Sequence, residues 1–175
     1  PSGLGFLPDG TLLVVSMANR KLLKRVNGQL LTHADLSGFA TGDCNDMVVD
    51  AHGRSYVGNC GYDLFSGEPQ KLADLVRVDP DGSARVVATG LNFPNGAVIT
   101  DGGKTLVVAE TFANVLTAFD IDAAGGLSNR RVWAAMGERT PDGICLDQAG
   151  GIWVASFMTS DFVRVTEGGA VTDLI

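Results

Sequence analysis

The 175-residue sequence has few basic residues and no long apolar segment. Thirteen Lys and Arg are outnumbered by twenty Asp and Glu, which gives a formal net charge of −7 at pH 7. No basic cluster is longer than a pair such as Arg20-Lys21, so nucleic acid is not expected as a partner. No apolar run approaches the roughly 20 residues that a membrane-spanning helix needs, and no membrane partner is expected.

Cysteine is also scarce. Cys44, Cys60 and Cys145 cannot all pair within one chain, and no C-x-x-C spacing occurs, which argues against a thiolate metal site. The three cysteines are therefore expected to be reduced thiols in a cytoplasmic protein. Because the sequence begins at Pro1 rather than at a methionine, the absence of a signal peptide adds little to that expectation.

Several familiar catalytic motifs are missing. The segment 101–105 ends like a phosphate-binding loop, but Val98 stands where its first glycine is required. No G-x-S-x-G nucleophile motif is present. The two histidines, His33 in a predicted strand and His52 in a predicted turn, are expected to be structural or solvated.

An internal repeat is the strongest positive signal. Four segments share a small polar pair, an apolar strand, a glycine turn and a second strand. The equivalent positions are 43, 50 and 47 residues apart, at Gly3, Asp46, Gly96 and Gly143. Two more strand-like runs follow in a repeat, and no segment has a helical apolar period.

Four short strands in a repeat of about 40–50 residues predict β-propeller blades. The sequence therefore predicts an all-β fold with about four blades, starting near residues 1, 44, 94 and 141. Residues 1–175 are expected to form a single propeller region that is incomplete. A β-sandwich or barrel built from similar meanders is the alternative.

Oxygen-bearing side chains begin the first strand of each predicted blade. A propeller places these strand starts around its central channel, so Ser2, Asn45, Asn95 and Asp142 are expected to converge. Asn and Asp oxygens suit Ca²⁺ or Mg²⁺. Calcium takes about 6–8 oxygen ligands, so water and substrate would complete the shell. Taken singly, these residues also belong to ordinary turn dipeptides.

The motifs as a group resemble the SMP-30/gluconolactonase (regucalcin-like) family of six-bladed propellers. The residues that carry the resemblance are Cys44-Asn45-Asp46, Val49-Asp50-Ala51-His52-Gly53-Arg54, Phe93-Pro94-Asn95-Gly96, Pro141-Asp142-Gly143-Ile144-Cys145-Leu146-Asp147 and Gly151-Ile152-Trp153-Val154-Ala155. The resemblance implies one divalent cation, usually Ca²⁺, with Mg²⁺, Mn²⁺ or Zn²⁺ as alternatives. Asn95 and Asp142 match metal ligands, and Asn45 matches a metal ligand in some relatives and a substrate contact in others. Asp142 also matches the general base of lactone hydrolysis.

The sequence departs from the family pattern in three ways. The family has a Glu ligand before the position of Pro1, and some members have an Arg where this chain has Asp43. A six-bladed ring needs roughly 270–300 residues, so the first and last blades are expected to be missing. An open propeller would expose apolar sheet faces, which makes self-association an expectation.

The leading hypothesis is a hydrolase of carboxylic ester bonds that opens a sugar lactone or a related cyclic ester. Asn45, Asn95 and Asp142 would hold the metal, and Asp142 would act as the catalytic base. Asn45 and Glu110, which ends the second strand of the third blade, are candidate substrate contacts. Two alternatives remain open: an organophosphate hydrolase on the same scaffold, and a propeller that binds calcium or a partner without catalysis.

Overall fold

The structure, a computed structural model, describes all residues from 1 to 175 and consists almost entirely of β-strands. Two one-turn 3₁₀ segments, Asp101–Gly103 and Thr111–Ala113, are its only helices. No helix has the length and apolar character that crossing a membrane would require. The sixteen strands are β1 (Leu4–Phe6), β2 (Leu12–Ser16), β3 (Lys21–Val26), β4 (Gln29–Asp35), β5 (Cys44–Val49), β6 (Ser55–Asn59), β7 (Ala73–Val78), β8 (Ala84–Leu91), β9 (Pro94–Thr100), β10 (Thr105–Glu110), β11 (Val115–Ile121), β12 (Leu127–Ala135), β13 (Pro141–Leu146), β14 (Ile152–Ser156), β15 (Asp161–Val165) and β16 (Val171–Leu174).

The strands form four separate sheets of four strands each. In every sheet the strands follow one another in chain order, and their pairing is antiparallel. No strand crosses from one sheet to another, as it would in a sandwich with Greek-key connections. The prediction of four propeller blades is confirmed, and the sandwich and barrel alternatives are excluded.

The chain divides into two compact units of two blades each, residues 1–94 and 95–175. In the first unit, apolar side chains from both sheets, among them Leu13, Leu22 and Val57, form one buried cluster. In the second unit, Val107 and Val154 belong to an equivalent cluster. Each core lies between its two sheets because alternate residues of a strand point to the same face. The prediction of a single propeller region stays a prediction.

Two repeated glycines allow the first strands of neighbouring blades to touch within each unit. A Cβ atom on Gly3 would lie 2.7 Å from the backbone nitrogen of Met47. A Cβ atom on Gly96 would lie 2.5 Å from the nitrogen of Ile144 and 2.6 Å from the carbonyl oxygen of Asp142. A side chain at either position would therefore clash with backbone atoms. Gly3 and Gly96 are two of the equivalent positions of the sequence repeat, so the repeat identifies where these contacts occur.

Aspartates in the turns account for much of the acidic charge. Asp50 and Asp147 occupy the same position of the repeat, directly after the first strand of a blade. The Oδ1 atom of Asp147 accepts hydrogen bonds from the backbone N–H groups of Ala149 and Gly151, both at 2.9 Å. Its Oδ2 atom accepts one from Nε of Arg164 at 2.6 Å. Asp50 closes its turn in the same way, so these carboxylates stabilise turns.

We expect the protein to lose thermal stability as the pH falls below about 4. The Arg164 guanidinium, with the turn N–H groups, holds the pKa of Asp147 below its ordinary value. A carboxyl whose pKa is lower in the folded state stabilises the fold above its unfolded pKa, and this contribution disappears as the pH falls through the folded pKa. Melting temperatures measured from pH 6 to pH 2 should therefore fall more steeply for the unaltered chain than for Asp147→Asn. Parallel curves would contradict this assignment.

Candidate functional site

In the first unit, Asn45 lies at the start of β5, the first strand of the second blade, and next to the start of the first blade. The hydroxyl of Ser2 donates a hydrogen bond to Oδ1 of Asn45 over 3.1 Å. The backbone N–H of Gly3 also points to the Asn45 carbonyl oxygen, at 3.4 Å. Both polar side chains are half-buried. The first two strand starts are thus adjacent, as the propeller prediction requires.

In the second unit, Asn95 and the backbone before Asp142 are joined through a threonine. The amide nitrogen Nδ2 of Asn95 donates to Oγ1 of Thr111 over 3.2 Å. The same hydroxyl donates to the carbonyl oxygen of Pro141 over 2.8 Å. Asn95 and Thr111 are both buried, with 7% and 2% of their surfaces exposed. The structure therefore brings the third and fourth predicted strand starts together.

Asp142 lines an open cavity of about 390 Å³ in the fourth blade. The cavity is also lined by Ser156 and by two exposed aromatic rings, Phe157 and Phe162. Asp142 itself is half-buried. Its carboxylate therefore lies where a small molecule can approach it.

The backbone that leads into Asp142 is held from both sides. The hydroxyl of Ser156 accepts a hydrogen bond from the N–H of Thr140 at 3.1 Å. The hydroxyl of Thr140 accepts one from the N–H of Met158 at 3.0 Å. On the other side, Nδ2 of Asn114 donates to the carbonyl oxygen of Arg139 over 2.7 Å. Hydrogen bonds consequently fix the backbone segment that directly precedes Asp142 in the chain.

Glu110 is almost fully buried at the end of β10, with 2% of its surface exposed. Its Oε1 atom accepts hydrogen bonds from Thr117 at 2.5 Å and from Arg130 at 2.8 Å. The guanidinium of Arg130 also lies over the ring of Phe119, 6.0 Å from its centre. These contacts give the carboxylate a structural role in the third blade. The predicted contact of Glu110 with substrate stays a prediction.

The chemistry of the donor set suits a hard cation. The hydrogen bond from Nδ2 of Asn95 to Thr111 leaves the amide oxygen for another partner. The Oδ1 atom of Asn45 has a second lone pair beyond the one that accepts from Ser2. No group of three or more His, Cys, Asp or Glu that could hold a metal ion is present, so amide oxygens would have to contribute. The assignment of Asn45, Asn95 and Asp142 as metal ligands stays a prediction.

Sequence reasoning missed Thr111, which no motif distinguishes from other threonines. Its partners lie 16 residues earlier and 30 residues later in the chain. The only local signal is its place directly after Glu110, at the end of the second strand of a blade. The other sequence-predicted residues lie where the blade prediction expects them, and His33 and His52 lie in a strand and in an exposed turn.

Four successive four-stranded antiparallel meanders define the chain as a β-propeller protein. Sequence comparison assigns it more closely. Residues 1–175 match the family described as SMP-30/Gluconolactonase/LRE-like region. The chain belongs to this family, as its motifs indicated.

Named relatives agree with that assignment. The chain is 29% identical over 175 residues to the pentonolactonase XacC of Haloferax volcanii, a match that covers 98% of this chain and 54% of the relative. It is 33% identical over 125 residues to the regucalcin of Danio rerio, covering 69% of this chain and 41% of the relative. The solved structure of a calcium-binding protein, regucalcin, from Agrobacterium tumefaciens superposes with a TM-score of 0.80 at 23% identity, covering 98% and 58% of the two chains. The chain thus spans about half the length of these relatives.

Proposed function

We propose that this protein is a metal-dependent hydrolase that opens a sugar lactone or a related cyclic ester. The observation that carries the proposal is the pairing of Asn95 with the start of β13 in the second unit. Gly96 lets the two first strands approach, and Thr111 links the Asn95 amide to the backbone before Asp142. Membership of a family with lactonase-named relatives supports the reaction class.

In the proposed reaction, water attacks the carbonyl carbon of the lactone and the ring C–O bond breaks. Asp142 accepts a proton of the attacking water and returns it to the alkoxide that leaves, which gives the open hydroxy acid. The hydrogen bonds of the N–H group and the hydroxyl of Thr140 fix the backbone that leads into Asp142. A fixed base raises the rate because little conformational entropy is lost when the proton acceptor reaches its reactive position.

The cation would be held by the oxygens of Asn95 and Asp142, and by Asn45, which enters the proposal from the sequence pattern and the family resemblance. When bound, a divalent cation such as Ca²⁺ polarises the ester carbonyl and offsets the negative charge that develops on its oxygen. Asn45 and Glu110 are retained as proposed substrate contacts. For Glu110, this role would require a route to a carboxylate that Arg130 and Thr117 already contact.

We expect the chain to hydrolyse gluconolactone faster than the spontaneous reaction, and EDTA to lower that rate by about a hundredfold. Losing a cation at the carbonyl removes several kcal/mol of charge stabilisation, which accounts for an effect of this size. Acid release measured with a pH indicator, before and after Ca²⁺ is added back, checks the expectation. Unchanged activity in EDTA would rule out the metal-dependent mechanism.

A substrate panel separates the alternatives to a lactonase. Faster turnover of organophosphate esters than of lactones would favour the organophosphate hydrolase. Calcium binding in calorimetry without turnover of any ester would favour a binding propeller.

Self-association also stays a prediction. The apolar side chains Leu4, Phe6 and Phe162 are more than half exposed on the first and last sheets.

A further inference from the structure

Thr111 occupies a position between two of the proposed metal ligands. It is the first residue of the 3₁₀ turn that connects β10 to β11, and only 2% of its surface is exposed. Its hydroxyl accepts a hydrogen bond from Asn95 and donates one to the carbonyl oxygen of Pro141, the residue before Asp142. One hydroxyl group therefore connects the third blade to the fourth beside the proposed ligands.

The direction of these hydrogen bonds fixes the orientation of the Asn95 amide. A carbonyl oxygen can only accept, so the single hydroxyl proton of Thr111 must be donated to Pro141. The hydroxyl oxygen can then only accept from Asn95, and an accepting oxygen needs the NH₂ end of the amide. The opposite amide orientation would place two acceptors together. The amide oxygen of Asn95 consequently points away from Thr111.

The same turn contacts the backbone before Asp142 a second time. Asn114 ends the turn in the left-handed conformation, with φ of 57°, and its Nδ2 atom donates to the carbonyl oxygen of Arg139. Two of the three carbonyl groups that precede Asp142 are thus bound by residues of one short turn. Movement of this turn would displace Asn95 and Asp142 together.

We propose that Thr111 is a positioning residue that presents the Asn95 oxygen, rather than its NH₂ group, to the cation. It also keeps Asn95 at a fixed position relative to Asp142. This inference rests on the proposed function. An asparagine can ligate a cation only through its oxygen, and a freely rotating amide spends part of its time with the NH₂ end towards the ion. Residues that orient ligands in this way typically change metal affinity by about 10–100-fold when they are replaced.

The test compares Thr111→Val with Thr111→Ser in the full 175-residue chain. Valine keeps the size and branching of threonine but has no hydroxyl, whereas serine keeps the hydroxyl. We expect Thr111→Val to bind Ca²⁺ about tenfold more weakly than the unaltered chain in calorimetry, and Thr111→Ser to bind within about twofold. If the valine variant does not fold, Thr111→Ala takes its place.

A matched control uses the far end of β10, the strand that leads into Thr111. Thr105 begins β10, is also buried, and donates its hydroxyl to Asp101 over 2.9 Å. Thr105→Val therefore removes a partly buried threonine hydrogen bond far along the strand from Asn95. It is expected to lower stability and to leave Ca²⁺ affinity unchanged. A loss of affinity equal to that of Thr111→Val would assign the effect to general destabilisation and overturn the proposal.

A second readout needs no metal. In NMR spectra of the metal-free chain, the side-chain NH₂ signals of Asn95 should be protected from solvent exchange in the unaltered chain and in Thr111→Ser, and should lose that protection in Thr111→Val. Normal Ca²⁺ binding by Thr111→Val would overturn the role of Thr111 and leave the proposed metal site standing. Absence of Ca²⁺ binding by the unaltered chain would overturn the proposed metal site, and the role of Thr111 with it.

Discussion

Asp142→Asn is expected to lower the catalysed rate of lactone hydrolysis by about 10²–10⁴-fold, the range that loss of a general base usually produces. Asparagine has nearly the same shape as aspartate, so the cavity beside Phe157 and Phe162 should keep its form. An amide, however, cannot accept the proton of the attacking water. It also brings no negative charge to a bound cation, so the affinity for Ca²⁺ should fall as well.

Asp147→Asn is the control for this experiment, because Asp142 and Asp147 lie at opposite ends of the same blade's first strand. The carboxylate of Asp147 is occupied by Arg164 and by two turn N–H groups, which indicates a structural role. It should retain the activity of the unaltered chain at neutral pH. Initial rates at saturating Ca²⁺, together with circular dichroism of each variant, provide the comparison. If Asp142→Asn keeps more than about a tenth of the activity, Asp142 is not the base.

Much of the fold can be predicted because each repeat has the same local sequence pattern of strands and turns. Short apolar runs form the strands, and glycines mark many of the turns between them. The apolar runs at 105–109 and 152–155 lie within the strands Thr105–Glu110 and Ile152–Ser156. Differences of a residue or two at strand ends depend on individual backbone hydrogen bonds, which an apolar pattern does not record.

The site can be predicted only in part, because some of its contacts join distant parts of the chain. The phase of the repeat identified Asn45, Asn95 and Asp142 as strand starts, and it is a local property. The connection through Thr111 depends on how the β10–β11 turn meets β13, and no pattern within the turn encodes it. The pairing of Glu110 with Arg130 likewise spans 20 residues, across strands with irregular register.

Gly96→Ala is expected to lower the free energy of unfolding by about 2–3 kcal/mol, as overpacking in a tight interior does. In an ordinary strand position, replacing glycine by alanine would instead stabilise the fold by about 0.5–1 kcal/mol. Here the new methyl group would lie 2.5 Å from the nitrogen of Ile144 and 2.6 Å from the carbonyl oxygen of Asp142. Backbone atoms cannot move aside as a flexible side chain can, so β9 and β13 must separate. Urea unfolding measures the loss.

Two glycine variants determine whether that loss is specific to the strand contact and to the site. Gly143 belongs to the same repeat position, yet a Cβ atom there meets nothing within 4 Å, so Gly143→Ala should not destabilise the fold and should stabilise it by up to about 1 kcal/mol. Gly3→Ala reproduces the clash in the first unit, 2.7 Å from the nitrogen of Met47, and should be as destabilising as Gly96→Ala. The separation of β9 from β13 also moves Asn95 away from Asp142. Gly96→Ala should therefore weaken Ca²⁺ binding more than Gly3→Ala at equal loss of stability. Ca²⁺ binding by Gly96→Ala as tight as that of the unaltered chain would mean that the contact at Gly96 supports the fold without setting the geometry of the site.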